Sequence, residues 1–76
     1  MATATHAAPT STPLGPTLRA RREEAGILQE DLAARAGISK SHLSRVESGE
    51  RKPKTETYVA LIEALAALAA EQRGAA

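Results

Sequence analysis

From Leu14 onward, apolar side chains recur at intervals of three and four residues, the spacing that stacks them on one face of an α-helix. Leu14, Leu18 and Ala25 form the first such set, Leu32, Ala33 and Ala36 the second, and Leu43 and Val46 the third. Tyr58, Leu61, Leu65 and Leu68 form the last, with Val59, Ile62, Ala66 and Ala69 as a second stripe beside them. No segment alternates apolar and polar residues with period two, so the expected fold is all-α, with four to five helices. Helix stop and start residues separate the sets. Gly15-Pro16 is expected to open the first helix, with proline at its first position, and Gly26 to end it after about Ala25. A second helix is expected over Gln29 to Ala36, stopped by Gly37. A third follows Ser39, whose hydroxyl can accept from a free backbone N–H, and runs to Ser48 before Gly49. Pro53 blocks further helix, and Thr55 is expected to cap the last one, from Glu56 to about Arg73.

Length and composition narrow the possibilities. A chain of 76 residues has room for one small domain, which buries only about 60% of its unfolded surface. With no cysteine there is neither a disulfide framework nor a thiolate zinc site, so helix packing must carry the stability. Residues 1 to 13 are mostly Ala, Thr, Ser and Pro and read as a disordered tail, in which His6 is too isolated to suggest a metal. This segment has no basic and apolar signal-peptide pattern. The apolar-rich run Tyr58 to Ala70 is broken by Glu63 and falls short of the roughly 20 residues that span a bilayer. A soluble, cytoplasmic protein without membrane attachment is expected. The net charge of +1 is uninformative, but its distribution is not. Between residues 39 and 54, Lys40, Arg45, Arg51, Lys52 and Lys54 stand against only Glu47 and Glu50. Residues 55 to 76 are net acidic. A basic stretch this concentrated suits an edge that faces phosphate.

The informative segment is QEDLAARAGISKSHLSRVES, Gln29 to Ser48. Two short helices meet across the turn Gly37-Ile38-Ser39. A steep crossing needs a small residue at closest approach, which Ala33 supplies. The turn needs a positive φ, which Gly37 adopts without steric cost, and an apolar plug, which Ile38 supplies. Leu32, Ala36, Ile38, Leu43 and Val46 then share one interior. At about 100° per residue, Lys40, Ser41, Ser44, Arg45 and Ser48 share the opposite arc of the third helix. That arc holds only hydrogen-bonding groups and two cations. Lysine and arginine can pair with guanine O6 and N7, and serine with several bases, so the arc suits a helix laid in the DNA major groove.

These residues resemble the helix-turn-helix family of the phage repressor and Cro type, also called XRE-type. The likeness runs from about Leu14 to Leu65. It rests on Leu18-Arg19, Arg22, Gly26, Gln29, Leu32-Ala33, Ala36-Gly37-Ile38-Ser39, Leu43-Ser44, Val46-Glu47, Gly49, Arg51 and Pro53. It implies a compact repressor-like DNA-binding domain over 14–65, with 66–76 as a C-terminal helix extension and short tail. It also implies base contacts by Lys40, Ser41 and Arg45, to which the polar arc adds Ser44. Gln29, Ser39, Arg51, Lys52 and Lys54 would then bind phosphate, and Arg22 would form a structural ion pair with Glu47. His42, at the flank of the arc, is expected to be solvated or to lie near phosphate. The sequence departs from the family at Leu28, where a Ser or Thr cap is usual. It also continues through Leu65 to Glu71, where the family usually breaks with a Gly before a short fifth helix.

The expected function is that of a sequence-specific regulator of transcription, a repressor, reading double-stranded DNA with residues 39–48 and nucleoid-associated when bound. A homodimer on an inverted repeat is expected, with Leu65 and Leu68 meeting their equivalents, because nothing else in so short a chain is expected to reach Leu68 and Ala69. The alternatives are an antitoxin-type autoregulator, or a protein-interaction module that uses the C-terminal helix. No catalytic grouping, metal site or cofactor is expected: the serines lack a partner histidine, and no carboxylate pair or phosphate-cradling glycine loop is present. Tyr58 is the one aromatic residue, which argues against single strands and RNA, whose binders stack bases on several.

Overall fold

Three of the four helix ends are set by glycine, and the glycines set the fold's connections. The computed structural model describes residues 14–75, so the expectations for the 1–13 tail and His6 lie outside the described residues. Among the described residues four helices follow one another: α1 Leu14–Glu24, α2 Gln29–Ala36, α3 Lys40–Ser48 and α4 Thr55–Ala75. No strand occurs among them, and the fold is all-α. At the end of α2, Gly37 takes φ 80°, and its N–H donates to the Ala34 carbonyl at 3.2 Å while the N–H of Ile38 donates to the Ala33 carbonyl at 3.0 Å. This closing pair satisfies carbonyls that the helix leaves open and turns the next residue inward. The same pattern ends α1, where the N–H of Gly26 reaches Glu23 and that of Ile27 reaches Arg22, both at 3.0 Å. Ile27 is thereby thrown into the core at 3% exposure, a placement that helical periodicity does not reveal because Ile27 lies outside any helix.

Several boundaries differ slightly from expectation. Pro16 is the third residue of α1 rather than the first, still within the opening turn whose N–H groups have no intrahelical partner. Thr55 is the first residue of α4 rather than its cap. The N–H of Tyr58 donates to the carbonyl of Lys54 at 2.8 Å, which puts Lys54 in the flanking position. Ser39 caps α3 as its chemistry suggests, accepting from the backbone N–H of His42 at 3.0 Å. Gly15 has a further role beyond opening α1. It is buried, and an added Cβ would collide with the Val46 carbonyl and lie 3.0 Å from that of Glu47. The start of α1 therefore lies directly against the C-terminal carbonyls of α3, as a glycine permits.

The core consists of Leu18, Ile27, Leu32, Ala33, Leu43, Val46, Leu61, Ala64 and Leu65, with Ala25, Ala36, Ile38, Leu68 and Ala69 packed at its edge. Leu32, Leu43 and Leu61 are wholly enclosed. Truncating any of these leucines to alanine should cost about 2–5 kcal/mol. α1 packs on α3, and α2 packs on both α3 and α4.

The last helix corrects one expectation. Leu65 is only 8% exposed within the protomer, and Leu68 and Ala69 pack against the same core. They are reached because α4 runs back alongside α2 and the α1–α2 turn. The Arg35 Nη2 donates to Glu71 Oε2 at 2.6 Å, and the Gln72 Nε2 donates to the Gly26 carbonyl at 3.3 Å. Leu65 and Leu68 therefore pack into the core of their own chain, Leu65 almost wholly and Leu68 in part, so neither lacks a partner within the protomer. The apolar residues left outward on α4 belong to the other stripe, Val59 at 45% and Ile62 at 36% exposure, with Ala66 also exposed. The Arg35 hydrogen bond holds the Glu71 carboxyl below the ordinary carboxylate range.

Leu28 stands at the N-cap of α2 with no side-chain capping bond and is 59% exposed, so little apolar burial is lost on replacing it. Leu28→Ser should stabilise the protein by about 0.5–2 kcal/mol, since a serine oxygen would accept from a free N–H of the first turn. Thermal melts of the two proteins check this; a lowered melting temperature would mean that Leu28 makes an apolar contact worth more than the cap.

Candidate nucleic-acid interface

α3 divides cleanly into two faces. Leu43, Val46 and Glu47 are buried, whereas Lys40, Ser41, Ser44 and Arg45 are exposed on the opposite arc. These four line a shallow concavity of about 370 Å³ together with Gln29 from the start of α2 and Glu50 from the loop after α3. Arg51, Lys52 and Lys54 are exposed along the rest of that loop, with Pro53 half-buried between them. The cations and hydroxyls that the sequence places on one arc thus do share one surface. Glu50 was not among the residues expected there, and only its nearness in sequence to Arg51 hinted at it.

Beneath this surface lies a polar network that joins three helices. The Arg22 Nε donates to Glu47 Oε2 at 2.7 Å, and the Arg22 Nη2 donates to Glu47 Oε1 at 3.0 Å, a two-pronged pairing of guanidinium with carboxylate. The remaining arm, Nη1, donates to the Ile27 carbonyl at 2.8 Å. Glu47 is 3% exposed and Arg22 8%. The hydrogen bond to Glu47 raises the Arg22 pKa above its already high ordinary value, although burial opposes it, so the guanidinium stays charged. Glu47 Oε1 also accepts from Gln29 Nε2 at 3.0 Å. No buried side-chain polar atom lacks a partner among the described residues.

This network qualifies the place of Gln29. Its amide nitrogen faces Glu47 rather than standing free, leaving one further N–H on that nitrogen. Ser39 spends its oxygen on the cap of α3 but keeps its hydroxyl hydrogen. Lys40 also has a resting partner, with its Nζ 3.6 Å from Glu30 Oε1 and both side chains more than half exposed. Such an exposed pair contributes little and is readily exchanged. Ser48, on the same arc, donates its hydroxyl to the Arg45 carbonyl at 3.1 Å and accepts from the N–H of Glu50 at 3.4 Å, tying the loop to the helix end. Leu65 and Leu68 lie apart from this surface, in the core and at its edge.

Among the described residues no helix is long and apolar enough to cross a membrane.

Comparison with known proteins agrees with this geometry. The family model of a helix-turn-helix domain matches residues 13–75. An uncharacterized HTH-type transcriptional regulator of Mycobacterium tuberculosis is 39% identical over 51 residues, covering 67% of this chain and 36% of that protein. Two uncharacterized HTH-type transcriptional regulators of Sinorhizobium fredii are similar as well. One is 43% identical over 44 residues (58% of this chain, 57% of that protein). The other is 40% identical over 48 residues, covering 63% of this chain and 24% of that protein. The chain therefore spans between about a quarter and somewhat over half of the length of these relatives. No solved structure matches. With the family model covering all the described residues and α2, Gly37 and α3 forming the motif, the chain belongs to the helix-turn-helix domain family.

Proposed function

We propose that this protein is a sequence-specific regulator of transcription that binds duplex DNA and acts as a repressor in the cytoplasm, at the nucleoid. One observation carries the reading: α3 is buried on one side and exposes Lys40, Ser41, Ser44 and Arg45 on the other, with three further cations in the loop that follows. Laid in the major groove, such a helix meets base edges with its polar arc while the loop runs along the backbone. Lys40, Ser41, Ser44 and Arg45 are the proposed base readers. Gln29, Ser39, Arg51, Lys52 and Lys54 are the proposed phosphate ligands. Arg22 and Glu47 hold the helices in register and touch no DNA. Selection of bound sequences from a random duplex pool tests the whole proposal; a pool that yields no enriched motif would sink it.

The protein is further proposed to bind as a homodimer. A two-fold symmetric pair that sets its α3 helices about 34 Å apart reads two half-sites one turn of DNA apart. The surface that suits the seam is the outer stripe of α4. Ile62 and Ala66 border a groove of about 440 Å³ floored by Ala25, Leu65 and Ala69 and rimmed by Arg21, Glu24 and Arg73. The rim carries both signs of charge, so Glu24 of one copy can pair with an arginine of the other across a two-fold axis.

Arg45→Ala should lower affinity for the selected operator by about 1–3 kcal/mol per half-site and relax preference at one base pair, with random duplex little affected. Binding curves on the operator and its single-base variants read this; equal loss on every duplex would make Arg45 a phosphate ligand.

Lys52→Ala should weaken all duplexes alike and reduce the salt dependence by about one charge per protomer. The check is a salt titration of affinity, and an unaltered slope would remove Lys52 from the interface.

Ile62→Glu should abolish dimerisation and weaken operator binding while the protomer stays folded, because Ile62 is 36% exposed. Leu65→Glu, by contrast, would bury a carboxylate in the core and unfold the protomer. Sedimentation and circular dichroism separate the two, and a dimeric Ile62→Glu protein would place the seam elsewhere.

A further inference from the structure

We propose that the cleft between α1 and α3 seats a phosphodiester group of duplex DNA, with Arg19 of α1 as its cation. The inference rests on the reading of α3 as the groove helix and adds to it a contact from a helix outside the helix-turn-helix. The cleft holds about 300 Å³ and is lined by Arg19, Arg22, Gln29, Ser44, Glu47 and Ser48. Its floor is electrically matched, since Glu47 and Arg22 neutralise each other in a two-pronged pair. Arg22 directs three of its five N–H groups to Glu47 and to the Ile27 carbonyl, and its charge is matched by Glu47, so the cation of the cleft that is not tied to a buried partner is Arg19. The Ser48 hydroxyl is likewise spent on the Arg45 carbonyl.

Beside the paired Arg22, the cleft offers the Arg19 guanidinium, the second N–H of Gln29 and the Ser44 hydroxyl. A fork of N–H groups beside a hydroxyl and an amide matches a phosphate oxygen face. Arg19 rests on Glu23, its Nε 3.1 Å from Glu23 Oε2, and both side chains are more than half exposed. An exposed pair four residues apart on a helix contributes little, so the guanidinium exchanges partners cheaply. The occupant follows from position. Gln29 and Ser44 line both this cleft and the concavity that holds Lys40, Ser41 and Arg45. The two hollows share a ridge, so a duplex whose base edges meet Lys40 and Arg45 carries its own backbone past Gln29 and Ser44 toward Arg19.

Salt titrations of duplex affinity, on operator and on random duplex, test the seat with four proteins. Arg19→Gln should weaken both duplexes by the same factor and lower the slope of log affinity against log salt by about 0.9 per protomer, the value for one phosphate contact. Arg19→Lys should keep the wild-type slope while losing part of the affinity, because it retains the charge but not the fork. Arg35→Gln removes the same formal charge from the α4 side of α2, where Arg35 faces Glu71, and should leave the slope unchanged. A wild-type slope in Arg19→Gln overturns the seat. So does an equal drop in Arg35→Gln, which would make the effect one of net charge. Either result leaves the groove reading of α3 standing. If the wild-type protein binds no duplex in a salt-dependent way, that reading fails and the seat fails with it.

Discussion

The carboxylate of Glu47 is the point on which the helices converge. It sits on α3 at 3% exposure, receives two hydrogen bonds from Arg22 on α1, and takes a third from Gln29 at the head of α2. A buried carboxylate without such partners is prohibitively costly, and removing one member of a buried pair typically costs about 3–5 kcal/mol. That is a large share of the 5–15 kcal/mol or so that holds a typical native protein together. Arg22 extends the constraint further, because its third arm caps the Ile27 carbonyl in the turn between α1 and α2. One side-chain cluster thus fixes the relative placement of three helices and of the turn that joins two of them. The polar arc of α3 points outward because the opposite face of the same helix is pinned from within.

The pairing also resolves a conflict within α3. A glutamate one residue before Ser48 and two after Arg45 would, if exposed, put a negative charge against any phosphate that approached the arc. Buried and matched by Arg22, it leaves the surface above it open to an anion. The acids that do remain near the arc, Glu30 and Glu50, are exposed, and Glu30 lies 3.6 Å from the Lys40 ammonium. Their carboxylates are screened by solvent, so they temper the basic surface without cancelling it.

Much of this was legible in the sequence, for reasons that differ from residue to residue. Glycine stop signals and the Ser39 cap depend on local backbone chemistry, so Gly26, Gly37 and Gly49 marked helix ends directly. Ala33, Leu43 and Val46 were legible from periodicity, because a short amphipathic helix has one inner face. Ile27 was not, since its burial follows from the geometry of the Gly26 closure and not from any repeat. Gly15 reads locally as a helix opener, whereas its deeper constraint is contact with carbonyls some thirty residues away, which no local pattern encodes. α4 was ambiguous for a third reason. Alanine and leucine alternate around most of its circumference, so two neighbouring stripes both looked fit for the core. Only the path of the helix along α2 decides that Leu65 and Leu68 face inward while Val59 and Ile62 stay out.

That path gives α2 a role that its eight residues do not advertise. It packs on α3 on one side and on α4 on the other. Its first residue, Gln29, is hydrogen-bonded into the Glu47 cluster beneath the polar arc of α3, and in its last turn Arg35 bonds Glu71 on α4. The polar arc and the apolar stripe are therefore carried by helices that meet through one rigid intermediary. A second protomer held on the stripe would fix the angle at which its arc and the first one are presented, because no loose segment lies between either surface and α2. The spacing of two half-sites would then be a property of the folded protomer itself, set by how α2 lies between α3 and α4.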